Sequence, residues 1–173
     1  MAIKDDSSTP LALTQPFLTF LGLFYSTWSS IDLTTDYAIF KFLKVTPQQS
    51  HLITSGMMFG RKARLLVDLV RHSADPNKAR ILGPFNKLRG MAKRDVFAHS
   101  HVASTLTKVT FIEHATSGEF KAIKHTFTFQ QFMDHAMSVS NHATDFYNSL
   151  SVTKEEIEAR TAVPEMRTRI FVQ

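Results

Sequence analysis

The sequence predicts a mainly α-helical protein: a helical bundle of about four to five helices, with one β-hairpin at about residues 105–127 before the last long helix. Three observations carry this expectation. Apolar residues recur at three- and four-residue spacing over most of the chain. Pairs such as Thr46-Pro47 and Asp75-Pro76 place a capping side chain just ahead of a proline, which is how helices begin. From Leu106 to Phe127 the pattern changes to runs of Thr, Val, Ile and Phe, residues that suit a pleated, half-buried surface.

The elements follow in order. Pro16 opens a pattern of Phe17, Phe20, Leu21, Phe24, Trp28, Ile31, Tyr37 and Phe40, a long, heavily buried helix ending near Val45. Thr46-Pro47-Gln48-Gln49 has the form of a capping box, with Gln three residues after the capping Thr. The helix it starts is expected to bend around Ser55-Gly56 and to continue through Leu65, Leu66, Leu69 and Val70 to His72. Asp75-Pro76 starts another, and Gly83-Pro84 is expected to break and restart it, giving a segment from Phe85 through Leu88, Met91, Ala92 and Val96 to about Ala98. Leu106–Glu113 and Phe120–Phe127, separated by Ala115-Thr116-Ser117-Gly118, form the hairpin. Thr128 and Gln131 make a second capping box, with Phe127 and Phe132 placed to staple across it. Phe132, Ala136, Val139, Ala143, Phe146 and Leu150 supply the buried face of the last helix.

The chain has 173 residues, 43% of them hydrophobic and 20% charged, with 15 Phe, which excludes a disordered chain. One domain over residues 1–173 is expected, with a core of about 14–150 and a loosely attached tail at 151–173. The absence of cysteine excludes disulfide scaffolds, thiolate zinc sites, iron–sulfur clusters and cysteine nucleophiles. From Leu11 to Ile31 there is no charge, a length sufficient to cross a bilayer. Thr14, Gln15, Pro16, Thr19, Ser26, Thr27, Ser29 and Ser30 interrupt it, so a buried core helix is expected and no membrane partner. Asp5 and Asp6 stand where a signal peptide carries positive charge, and a cytoplasmic protein is expected.

The net charge of +5 is unevenly spread. Arg61, Lys62, Arg64, Arg71, Lys78, Arg80, Lys87, Arg89, Lys93 and Arg94 are opposed between residues 61 and 94 only by Asp68 and Asp75, so that stretch carries +8 and the remainder −3. Such a field attracts phosphate backbones; solvation of two outer helix faces accounts for the same residues equally well. At its end stands Lys93-Arg94-Asp95-Val96-Phe97-Ala98-His99-Ser100-His101. Arg94 offers a permanent planar fork of donors suited to phosphate oxygens. His99 is the side-chain type that can both take and give a proton near neutrality. Together at one phosphodiester they could cleave RNA with no metal or cofactor. A helical wheel leaves another role open, since His99 and Asp95 fall within or beside the apolar stripe of Phe85, Leu88, Ala92 and Val96. His99 is then either a catalytic group or a core histidine paired with Asp95, and His101 also satisfies the spacing to Arg94. His135 and His142 are seven residues apart, too far for one metal ion, and surface or partner-facing positions are expected for them.

Arg94-Asp95-x-x-Ala98-His99 resembles the Arg-polar-x-x-x-His signature of HEPN domains, whose commonest form is Arg-Asn-x-x-Ala-His. The layout of residues 16–150 is similar as well: a first helix carrying Trp28 and Ile31-Asp32, a second with Lys62 and Leu65-Leu66, and Leu88-Arg89 approaching Arg94. Asp95 in place of Asn and the added hairpin depart from the family pattern. The resemblance implies a helical bundle that dimerises with its two Arg–His motifs meeting in a cleft. It implies a metal-independent endoribonuclease of toxin–antitoxin or phage-defence systems, often beside a nucleotidyltransferase-type antitoxin partner. Arg94 and His99 would be the catalytic pair and Asp95 the residue that orients them, with Lys87, Arg89, Lys93 and His101 holding single-stranded RNA. Other members have lost catalysis and bind RNA or a protein partner, and that is the alternative function.

Overall fold

The structure, a computed structural model, describes residues 15–91, 96–97, 100–105, 107–115, 121–153 and 155–156. Among them are five helices: α1 (Gln15–Leu43), α2 (Pro47–Thr54), α3 (Phe59–His72), α4 (Lys78–Met91) and α5 (Phe129–Ser149). Three strands, β1 (His101–Ser104), β2 (Lys108–Ala115) and β3 (Lys121–Thr128), form an antiparallel sheet in the order β1-β2-β3 immediately before α5. The mainly helical class with a hairpin before the last helix therefore holds. No described helix is long and apolar enough to cross a membrane.

Local chemistry sets most boundaries. α1 ends where Lys44 turns into the left-handed region at φ 55°, its N–H donating to the Phe40 carbonyl at 3.1 Å. Thr46 caps α2 reciprocally: Gln49 N–H donates to Thr46 Oγ1 at 3.2 Å, and Thr46 N–H donates to Gln49 Oε1 at 2.9 Å. The expected bend at Ser55-Gly56 is instead a full break. Ser55 leaves the helical region, Gly56 sits at φ +83°, and α3 starts only at Phe59. Asp75 Oδ1 accepts from Asn77 N–H at 2.7 Å just before α4.

The expected break at Gly83-Pro84 does not occur, and α4 runs through Pro84. Proline inside a helix costs about 3 kcal/mol through its lost hydrogen bond and ring clash. Ile81, Phe85 and Leu88 are at most 2% exposed, and burying each such side chain returns about 1.5–3 kcal/mol. The apolar stripe outweighs the proline.

The strand His101–Ser104 was not expected, so the hairpin gains a third member. Its register is His101↔Ile112 through Ser104↔Val109, while β2 and β3 pair from Lys108↔Thr128 to Ala115↔Lys121. Residues 116–118 of the expected turn lie outside the described residues. Thr128 and Gln131 exchange the second capping box at 3.2 and 2.9 Å, and the Phe127 and Phe132 rings close the staple at 6.2 Å.

By contacts the chain divides into two compact units. One comprises Met1–Ser29 with Lys87–His142, and its buried residues include Phe17, Phe24, Phe97, Phe111 and Phe132. The other comprises Ser30–Asn86 with Ala143–Gln173, built on Ile31, Ile39, Leu66, Val70, Phe85 and Phe146. In this second unit residues 151–153 and 155–156, assigned to the tail, are fastened. Thr153 and Glu156 exchange a reciprocal cap at 2.9 and 3.2 Å, and Lys41 Nζ donates to the Leu150 carbonyl at 2.9 Å while lying 3.4 Å from Glu156. Residues 157–173 lie outside the described residues.

Candidate functional site

The Arg94–His99 segment belongs to the first unit. Lys93, Arg94, Asp95, Ala98 and His99 lie outside the described residues; Val96 and Phe97, inside the segment, have helical backbone. Phe97 anchors it. At 1% exposure its ring has centroids 4.6 Å away at Phe111 on β2, 4.8 Å at Phe24 on α1 and 5.5 Å at His135 on α5. Phe132 and Phe127 follow at 5.7 and 5.8 Å. These are edge-on and tilted aromatic contacts of the favourable kind. Its carbonyl is held as well, because the Tyr25 hydroxyl donates to it at 2.7 Å. The chain is thereby fixed, by ring and by backbone, between Arg94 and His99 in sequence.

The described members of the expected RNA-binding set are separated. Lys87 and Arg89 are exposed on α4, and Leu88 between them is fully buried. At 100° per residue the two cations leave on opposite flanks of the helix. His101 is exposed on strand β1 and pairs with Ile112, so it belongs to the sheet. His135, expected at a surface or facing a partner, is half-buried within 6.3 Å of the Phe24 and Phe127 rings as well as close to Phe97. His142 is half-buried as well. Among the described residues no group of three or more His, Asp or Glu is placed to hold a metal ion.

In the second unit the chain builds a charged cluster that the sequence revealed only in part. Asp32 and Asp36 are one helical turn apart on α1, and Lys62 comes from α3. Lys62 Nζ donates to both Asp32 oxygens at 3.2 Å and to Asp36 Oδ2 at 3.0 Å, with its side chain 8% exposed. Asp36 Oδ1 is buried with no hydrogen-bond partner among the described residues. Lys62 therefore cannot serve the basic face to which its sequence position assigned it. Arg61, Arg64, Arg71 and Arg80 are exposed in the same unit.

Burial alone would lower the Lys62 pKa, but the hydrogen bond and charge of Asp36, and then those of Asp32, hold it above the ordinary lysine value of 10.5. Burial likewise raises the Tyr25 hydroxyl above 10.0. Both folded-state values exceed the unfolded ones, so both contributions are whole below about pH 10 and are lost as pH rises through the folded values. Lys62→Met is expected to flatten the alkaline limb of a stability–pH curve above about pH 10.5. At neutral pH, Lys62→Ala should cost about 1.5–3 kcal/mol, the worth of hydrogen bonds to charged groups. Denaturant titrations at pH 7 and pH 11 check both, and an unchanged alkaline limb in Lys62→Met would refute the assignment.

No family model matches the chain, and no curated protein or solved structure is significantly similar to it.

Proposed function

We propose that this chain is a metal-independent, cytoplasmic endoribonuclease of the HEPN type, acting on single-stranded RNA as a homodimer. The observation that carries the proposal is Arg94-Asp95-x-x-Ala98-His99, following α4 in a mainly helical chain. His99 takes the proton of a ribose 2′-OH, and the 2′-oxygen forms a bond to the adjacent phosphorus. The P–O5′ bond breaks as the 5′-oxygen takes that proton back from His99, directly or through a water, leaving a 2′,3′-cyclic phosphate, a 5′-OH and a neutral histidine. Arg94 stabilises the charge that builds on the phosphorus oxygens. Asp95 orients the pair, and the RNA is contacted by Lys93, His101 and whichever of Lys87 and Arg89 stands on the flank of α4 that it follows. Such a nuclease fits a toxin or phage-defence component restrained by a nucleotidyltransferase-type antitoxin.

One observation favours a second reading, a catalytically inactive module that binds RNA or a protein. Asp95 puts a carboxylate beside Arg94 in sequence where the family pattern has a neutral amide, and that charge would blunt Arg94 at a phosphate. Incubation of end-labelled single-stranded RNA with excess EDTA separates the two. The nuclease yields products ending in 2′,3′-cyclic phosphate. Failure of folded protein to cut several unrelated RNAs would leave the binding module.

A further inference from the structure

The register of the sheet sorts its side chains into two faces. One carries Val109 and Phe111, both buried, with Phe127 and His125 opposite them on β3. Glu113 is on that side too, 3.5 Å from His125. The other face is read in rows across the strands. His101, Ile112 and Lys124 form one row; Ala103, Thr110 and Thr126 form the next; Lys108 and Thr128 form the third. His101, Lys108, Lys124, Thr126 and Thr128 are exposed. No Asp or Glu occurs at any of these positions, so the three rows carry two lysines and a histidine and no carboxylate.

The middle row is a polar floor. Thr110 and Thr126 share a hydroxyl–hydroxyl hydrogen bond at 3.0 Å, flanked by the small side chain of Ala103. At about 3.4 Å per residue and about 4.8 Å between strands, the Lys108 and Lys124 backbones stand about 14 Å apart. They are therefore placed to meet separate phosphates. No Phe, Tyr or Trp occupies these rows, so bases have no large ring to stack on and contact through the backbone is the recognition that remains.

We infer that this outer sheet face is a phosphate-binding track for single-stranded RNA, with Lys108 and Lys124 as its charged contacts and the Thr110–Thr126 pair between them. The track rests on the ribonuclease reading and extends it, since the face begins at His101, two residues beyond His99. Recognition through phosphates alone makes the track indifferent to base sequence.

The test uses full-length protein and a fluorescent 2′-O-methyl single-stranded oligonucleotide, which lacks the nucleophile and survives the assay. Anisotropy titrations from 50 to 200 mM salt compare wild type with Lys108→Ala/Lys124→Ala and Lys108→Gln/Lys124→Gln, the latter keeping much of each stem should the alanine pair misfold. Both double variants should bind roughly tenfold more weakly at 100 mM salt. The slope of log K against log salt should shrink by about 1.4, at about 0.7 for each phosphate no longer neutralised. Wild-type affinity and slope in folded variants, with RNA cleavage intact, would overturn the track while the nuclease stands. Neither binding nor cleavage by wild type would overturn both. Equal binding of polyglutamate, equally weakened in the variants, would replace RNA by an acidic polypeptide.

Discussion

RNA cleavage by His99→Ala should fall by about 10²–10⁴-fold, the usual contribution of a positioned acid–base side chain. Arg94→Ala removes a donor from the phosphoryl transition state, a loss of about 10²–10³-fold. In the proposed mechanism the two groups act on one reacting phosphate, so the double variant should be little worse than the poorer single variant. Binding of the uncleavable 2′-O-methyl strand should barely change in His99→Ala and weaken in Arg94→Ala, because only arginine carries a permanent charge. His101→Ala resolves the choice between histidines. With His101 exposed on β1 and paired to Ile112, its loss should weaken RNA binding and leave the chemical step near wild type. Loss of the chemical step in His101→Ala but not in His99→Ala would transfer the acid–base role to the strand. Activity surviving in both histidine variants and in Arg94→Ala would remove the motif from the mechanism.

The parts of the fold that were legible in the sequence are those written in local chemistry. Both expected capping boxes form, because each needs only a hydroxyl and an amide three residues apart. A third, Thr153 with Glu156, has the same spacing but stands where the apolar pattern weakens, so nothing around it announces a helix. The strand His101–Ser104 was hidden by its length of four residues and by the helical motif running up to it. It exists because β2 offers it an edge, which is a long-range circumstance. Pro84 misled in the opposite direction, since a local rule was overridden by the burial of Ile81 and Phe85 beside it.

The candidate site was legible to a similar degree. Arg94, Asp95 and His99 stand out through spacing and residue type, both of which are local. The Asp32–Asp36–Lys62 cluster was half visible, as two carboxylates one turn apart with a lysine on a different helix. Nothing in a linear pattern says that Lys62 meets them. His135 shows the limit most clearly. Its neighbours Phe24, Phe97 and Phe127 come from three separate parts of the chain, so its place among aromatic rings has no sequence signal.

Phe97→Ala should be the most destabilising of these substitutions, at about 3–5 kcal/mol, the range for truncating a buried phenylalanine. For a chain of this length that is a fall in Tm of roughly 6–20 °C, at about 2–4 °C per kcal/mol. The size of the loss follows from where the neighbours of Phe97 come from. Phe24, Phe111, Phe127, Phe132 and His135 belong to α1, β2, β3 and α5, and all five rings lie within 5.8 Å of it. Removing the ring opens a cavity that no single element can close by shifting, because each is held by its own hydrogen bonds. Phe97→Leu keeps most of the volume and loses the ring contacts, so about 1–2 kcal/mol is expected. Tyr25→Phe removes only the hydroxyl that meets the Phe97 carbonyl and should cost about 0.5–1.5 kcal/mol. Thermal and urea unfolding rank the three, and a Phe97→Ala loss below that of Phe97→Leu would refute the packing argument. Cleavage adds a reading that stability alone does not give. Phe97 lies between Arg94 and His99 in the chain, so the alanine variant, assayed well below its Tm, should still lose kcat. Tyr25→Phe should lose less, and in the same direction, because it loosens the same stretch of backbone from one side.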